Sequence, residues 1–186
     1  MGKIYLFRHA ESEDNCRHVF SGWRNPSLSE KGKIDCQEMA ELLRDKQIEV
    51  AFGADLKRNL ETLKEVLKYH PLAKTEIDNR LRERCYGDLQ GESHLTLMRK
   101  DISLYQKYHR SYDFPPPNGE SIKAVEERVR PFYEELLERL GDDNMNAAVC
   151  AGNNAMRVLR RFLEGLTVEE MMKLENPYDQ YFEYQV

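Results

Sequence analysis

Two hydrophobic rhythms divide the chain. Short stretches at Lys3–Phe7 (KIYLF), Val50–Gly53, Thr75–Ile77, Ala147–Cys150 and Tyr181–Val186 have the length and residue types of strands. Between them, apolar residues recur every three or four positions, as helices require. Ile34, Met39, Leu42 and Leu43 predict a helix over 30–45, with Ser29 as its cap. Leu56, Leu60, Leu63 and Leu67 predict another over 55–69. Ile122, Val125, Val129, Phe132 and Leu136 mark a long helix from Ser121 to Leu140, ended by Gly141 and kinked at Pro131. Ala155–Glu164 is a helix stopped by Gly165, and Thr167 with Glu170 has capping-box spacing for the next one. A polar loop with a glycine fills the interval up to Ser29. The segment from Arg80 to Pro117 is the least regular, and Pro115–Pro117 cannot lie inside a helix.

Alternating strands and helices give an α/β class, with ligands expected beyond the carboxyl ends of the strands. The places to look are therefore the loops after Phe7, Gly53 and Cys150. At 186 residues, without repeat or linker, one domain over 1–186 is expected. A net charge of −5, with no dense basic stripe, argues against a nucleic-acid partner. No stretch reaches membrane-spanning length or resembles a signal peptide. The four cysteines, Cys16, Cys36, Cys85 and Cys150, lack the spacing of a zinc site or a disulfide framework. A cytoplasmic protein without a metal is expected.

The first loop opens Arg8-His9-Ala10-Glu11-Ser12. Neutral imidazole is a good nucleophile near pH 7, with an ordinary pKa of about 6.5. An adjacent guanidinium can hold phosphate oxygens with paired hydrogen bonds. Lys57-Arg58, at the start of the helix after the second strand, can converge on the same anion. Taken alone, the first pair reads as an incidental loop and the second as a solvated helix face. The run Arg80–Gly91 (RLRERCYGDLQG) sets Glu83 among three arginines. That is either an ion-pair network or a proton-transfer group beside a phosphate.

Together and in order, these pieces carry a resemblance. LFRHAESEDNCRHVFSGWRNPSLSEKG is similar to the N-terminal signature of the cofactor-dependent phosphoglycerate mutases of the histidine phosphatase superfamily. DLKR, RLRERCYGDLQG, RSYDFPPP and MRVLRRFLEGLTVEEMMKLENP resemble later blocks of the same mutases. The resemblance implies a three-layer α/β/α sandwich with a mostly parallel central sheet. It makes His9 the phosphorylated nucleophile, Arg8 and Arg58 the phosphoryl clamp, and Glu83 the general acid/base. Ser12, Asn15, Ser21 and Gly22 would hold phosphate or substrate from the first loop, with Tyr86 and Arg110 as further substrate contacts. The implied partner is a small phosphorylated metabolite, with 2,3-bisphosphoglycerate as priming phosphate donor and no metal. Homo-oligomerisation is left open.

Three departures bear on the activity. His94 stands where the family has a lysine, and His109 replaces the first of two arginines. Little separates Pro117 from Gly119-Glu120-Ser121, where the family chain is longer. The family's second histidine, in a motif like AHGNSMR, is absent. This chain reads Ala151-Gly152-Asn153-Asn154-Ala155-Met156-Arg157, which puts the missing histidine at 151 or 152. Losing one such donor costs about 3–4 kcal/mol, or roughly 10²–10³-fold in rate. Asn153 or Asn154 is the expected partial replacement. The leading expectation is a 2-/3-phosphoglycerate mutase. A histidine-type phosphomonoesterase and a weakly active or inactive phosphate-binding homologue are the alternatives. Other notable residues have structural readings: His18 and His70, Trp23 as packing for the first loop, and Met171 and Met172 as core.

Overall fold

Residues buried on both faces of a sheet read as continuous apolar runs, and strand β1 (Lys3–Arg8) behaves this way. Its Ile4 and Leu6 enter one core while Tyr5 and Phe7 enter the other. The structure, a computed structural model, describes residues 2–143 and 145–186. After β1 come α1 (Glu13–Cys16), α2 (Glu30–Leu43), β2 (Val50–Gly53), α3 (Lys57–Val66) and β3 (Lys74–Ile77). Next are α4 (His94–Lys100), α5 (Ile102–Arg110), α6 (Ile122–Asp143) and β4 (Ala147–Ala151). Helices α7 (Asn153–Glu164) and α8 (Val168–Lys173) and strand β5 (Tyr181–Gln185) complete the order.

The strands lie in the order β3-β2-β4-β1-β5. The first four are mutually parallel, and β5 pairs antiparallel to β1. One core sets Ile4, Leu6, Phe52 and Val149 against Val125, Val129 and Phe132 of α6 and Met156 and Leu159 of α7. The other sets Tyr5, Phe7, Ala51 and Cys150 against Met39 and Leu43 of α2 and Leu63 and Val66 of α3. Helices on both faces make the expected three-layer α/β sandwich. Among the described residues, no helix is long and apolar enough to cross a membrane.

The structure corrects several details. In α2 the inward face is Gly32, Cys36, Met39, Ala40 and Leu43, while Ile34 and Leu42 are exposed. Positions 32, 36, 39 and 43 share a face at 3.6 residues per turn; 34 and 42 do not. Leu60 is likewise exposed on α3, whose last turn tightens into a 3-10 turn at Leu67–Tyr69. Helix α6 runs past Gly141 to Asp143. It also carries Pro131 inside its span, on the exposed side with Glu127, whose carbonyl lost its usual donor to the proline ring. The segment 80–117 holds α4 and α5, and the first loop holds α1, capped by Ser12. Both were hidden by short, polar, weakly periodic sequences.

Candidate active site

Strands β1 and β4 finish side by side, and the chain leaves β1 at His9. Its backbone N–H donates to the Ala151 carbonyl at 3.2 Å. The His9 ring is only 1% exposed. Its Nδ1 lies 2.8 Å from the Ala10 carbonyl, which can only accept, so Nδ1 carries the proton and Nε2 keeps its lone pair. Nε2 in turn accepts the Nε–H of Arg58 at 3.0 Å. Burial, reinforced by the charges of Arg58 and Arg8, holds this imidazole well below its ordinary pKa. The ring is neutral near pH 7, as a nucleophile must be.

Arg58 lies in the first turn of α3 and is almost fully buried. Its Nη2 donates to the Gly22 carbonyl at 2.7 Å, and Nη1 reaches the Arg24 carbonyl at 3.0 Å and Ser21 Oγ at 3.4 Å. Gly22 has φ +52°, a conformation that side-chain-bearing residues seldom adopt, so glycine lets the loop present its carbonyl. Arg8 lies 4.1 Å over the ring of Tyr178 and donates from Nη1 to the Asn176 carbonyl at 3.3 Å. Its Nε–H is buried with no hydrogen-bond partner among the described residues.

Glu83 is buried beside these cations, and its three arginine neighbours in sequence are engaged elsewhere. Arg80 pairs with Asp78 and Glu135, Arg82 with Asp55, and Arg84 with the carbonyls of Tyr108, Phe114 and Glu120. Arg128 of α6 fixes the segment by donating to the carbonyls of Arg80, Arg82 and Glu83. Glu83 Oε1 accepts from the Arg84 amide at 2.7 Å, Asn154 Nδ2 at 2.8 Å and the Asn154 amide at 3.2 Å. Burial pushes this carboxyl's pKa up. The Arg84 amide, the Arg8 charge, Asn154 and the Arg58 charge together outweigh it, leaving the group lowered and ionised.

Asn154 also reaches Tyr86 Oη at 3.4 Å, so both of its side-chain N–H groups have partners. Tyr86 begins an aromatic wall. Phe20 packs 5.0 Å from it and stacks on His94 at 3.8 Å, and His109 lies 5.3 Å from His94. Burial lowers His94 to about 4, helped by the His18 charge. Burial likewise lowers His109 to about 3, assisted by Arg110. Both imidazoles are neutral, so this wall carries no histidine cation at neutral pH.

The gap in the motif near Cys150 is filled by backbone. Ala151 packs in the core under α6 and α7. Gly152 caps α7, and a Cβ there would meet Cα and N of Glu83 at 2.5 Å. Position 152, at the sheet's end, is thus the one facing the site, and the Glu83 backbone fills its side-chain space. Ser12 and Asn15 cap α1 by bonding to each other, with Ser12 Oγ donating to Asn15 Oδ1 at 2.8 Å. Asn153 accepts from Asn176 Nδ2 at 3.0 Å. Arg110 ends α5, exposed and without a hydrogen bond among the described residues. His18 is exposed, and His70 is buried with Nε2 3.1 Å from the Leu43 carbonyl. Trp23 is half-exposed and donates from Nε1 to the Glu83 carbonyl at 2.8 Å, tying the first loop to that segment.

Sequence reasoning missed Asn176 and Tyr178. Asn176 is buried and links the Arg8 guanidinium, Asn153 and Arg160. Their only signal was the last matching block, which ends at Asn176-Pro177 just before Tyr178 and gave no hint of proximity to His9.

A sequence profile of the histidine phosphatase superfamily (branch 1) matches residues 4–183. The chain belongs to this superfamily. A phosphoglycerate mutase of Schizosaccharomyces pombe is 36% identical over 177 residues, covering 92% of this chain and 84% of the relative. A 2,3-bisphosphoglycerate-dependent phosphoglycerate mutase of a Chelativorans species is 35% identical over 180 residues, covering 94% and 87%. Among solved structures, Bacillus stearothermophilus YhfR superposes with a TM-score of 0.89 at 21% identity, covering 100% of this chain and 92% of its own. A mycobacterial glucosyl-3-phosphoglycerate phosphatase solved with VO3 gives 0.88 at 22%, covering 98% and 90%.

Proposed function

We propose that this histidine phosphatase superfamily member transfers a phosphoryl group through His9, with a small phosphorylated acid as substrate. The observation that carries this reading is the state of the His9 ring. It is buried and neutral, its proton is fixed on Nδ1, and its Nε2 lone pair is aimed among Arg58, Arg8 and Glu83. The lone pair attacks phosphorus as the ester oxygen leaves. Two guanidiniums stabilise charge on the equatorial oxygens, where the unpaired Nε–H of Arg8 is an available donor. Glu83, whose Oε2 accepts none of the three hydrogen bonds made to this side chain among the described residues, takes the proton of the acceptor hydroxyl as the phosphoryl group leaves His9 and, once protonated, gives it to the ester oxygen that departs.

Interconversion of 2- and 3-phosphoglycerate, primed by 2,3-bisphosphoglycerate, is the leading reaction, supported by relatives above 30% identity. Phosphomonoester hydrolysis is the second reading. The neutral His94 and His109 favour it, because they place little positive charge where a mutase substrate carries a second anion.

Labelled 2,3-bisphosphoglycerate tests both readings by marking His9. Conversion of 3- to 2-phosphoglycerate then identifies the mutase, and release of inorganic phosphate identifies the phosphatase. Ligand binding with no label on His9 refutes both and leaves a phosphate-binding homologue.

A further inference from the structure

We propose that the Tyr178 hydroxyl holds a transferring phosphoryl oxygen, taking up the donor position left without a histidine at Gly152. The inference rests on the phosphoryl-binding reading of the His9 pocket and adds a residue to it. Tyr178 follows α8 in the segment that Asn176 anchors. Its ring lies 4.1 Å from the Arg8 guanidinium carbon, and its centroid is 6.5 Å from that of His9. Its hydroxyl interacts electrostatically with Arg8, Arg58 and Glu83 and with Glu11, Lys31 and Asp35. Among the described residues it makes no hydrogen bond, in a pocket where nearly every other polar side chain has one.

The neighbouring polar groups are held by other partners. Gly152 has no side chain, and the Glu83 backbone occupies the space one would need. The Asn154 amide donates to Glu83 and Tyr86. Asn153 Oδ1 accepts from Asn176 Nδ2 and Ser21 Oγ accepts from Arg58 Nη1, so both side chains are already placed by other segments. Arg8 and Arg58 are the clamp already assigned. The phenol of Tyr178, packed on the Arg8 guanidinium, is a neutral donor near the ring with no partner among the described residues. Burial raises its pKa above the ordinary 10, against the opposing pull of Arg8, so the O–H keeps its proton near pH 7. Unlike a histidine it cannot become cationic, so it supplies a hydrogen bond without a third positive charge.

Orthovanadate, a phosphoryl mimic, tests this without requiring turnover. Calorimetric titration compares wild type with Tyr178→Phe, which keeps the ring on Arg8, and with Tyr178→Leu, which removes ring and hydroxyl. The expected result is vanadate binding weakened about tenfold or more in Tyr178→Phe, with an unchanged melting temperature. Equal affinity in wild type and Tyr178→Phe overturns the proposal. A loss confined to Tyr178→Leu also overturns it, since the ring alone would then act through Arg8. No vanadate binding by the wild type overturns it together with the phosphoryl-site reading. If binding depends on the hydroxyl but label never reaches His9, the role of Tyr178 stands and the phosphohistidine reading fails.

Discussion

The Nε–H of Arg58 sits 3.0 Å from Nε2 of His9, directly on the lone pair that the proposed chemistry needs. In the resting protein Arg58 therefore covers that lone pair. In the proposed step an arriving phosphoryl group takes the lone pair and inherits the Arg58 N–H as a donor to its oxygen. Arg58→Lys keeps the charge but loses the fork that also holds the Gly22 and Arg24 carbonyls. Single-turnover labelling of His9 should slow by about 100-fold or more. Urea unfolding should show a loss of about 2 kcal/mol, from buried carbonyls left without donors.

Glu83 offers a cleaner separation of chemistry from folding. In Glu83→Gln the amide oxygen can still accept the three hydrogen bonds now made to Oε1, so the melting temperature should hold. Proton exchange disappears, and steady-state turnover should fall by roughly 10²–10⁴-fold. A variant turning over at the wild-type rate would remove Glu83 from the mechanism.

Restoring the motif's histidine should fail. Gly152→His, and even Gly152→Ala, pushes a Cβ into backbone atoms of Glu83, which cannot swing aside as a flexible side chain would. Thermal and urea unfolding should reveal a destabilisation of about 1–3 kcal/mol, with no gain in labelling rate. Ala151→His should be worse, since it buries an imidazole in the core below α6 and α7. A faster and equally stable Gly152→His would mean that the Glu83 segment yields.

Stability should also fall with acid before the carboxylates titrate. His9, His94 and His109 are held below the 6.5 of a free imidazole, His94 to about 4 and His109 to about 3. Once the pH drops below about 6.5, the unfolded chain binds protons that the folded chain refuses. Stability is complete above that pH and declines progressively toward about 4. Replacing both wall histidines, as His94→Phe/His109→Phe, should give a shallower fall in urea midpoint between pH 6.5 and 4.5. Parallel curves for the two proteins would contradict neutral burial.

The sequence revealed elements wherever the apolar spacing was strong, as in β1, β4 and α6. It failed in α4 and α5, whose burial is partial and whose surfaces are mixed. It also misplaced Ile34 and Leu42, because hydrophobicity alone does not say which face of a helix is covered. In the site, His9, Arg58 and Glu83 were legible from their motifs, and the structure brings them together. The hydrogen bonds that use up the Asn154 amide, and the approach of Tyr178 to Arg8, depend on contacts between distant segments. No local pattern encodes those.

Strand β5 pairs with β1, and the segment leading into it carries Asn176 and Tyr178 across the end of the sheet to Arg8. During synthesis the covering segment follows His9 by more than 160 residues. Until then the His9 ring lacks this cover, and β1 lacks both of its neighbouring strands. The pocket around His9 is complete only when β4 and β5 flank β1, so it cannot form before both strands have been made.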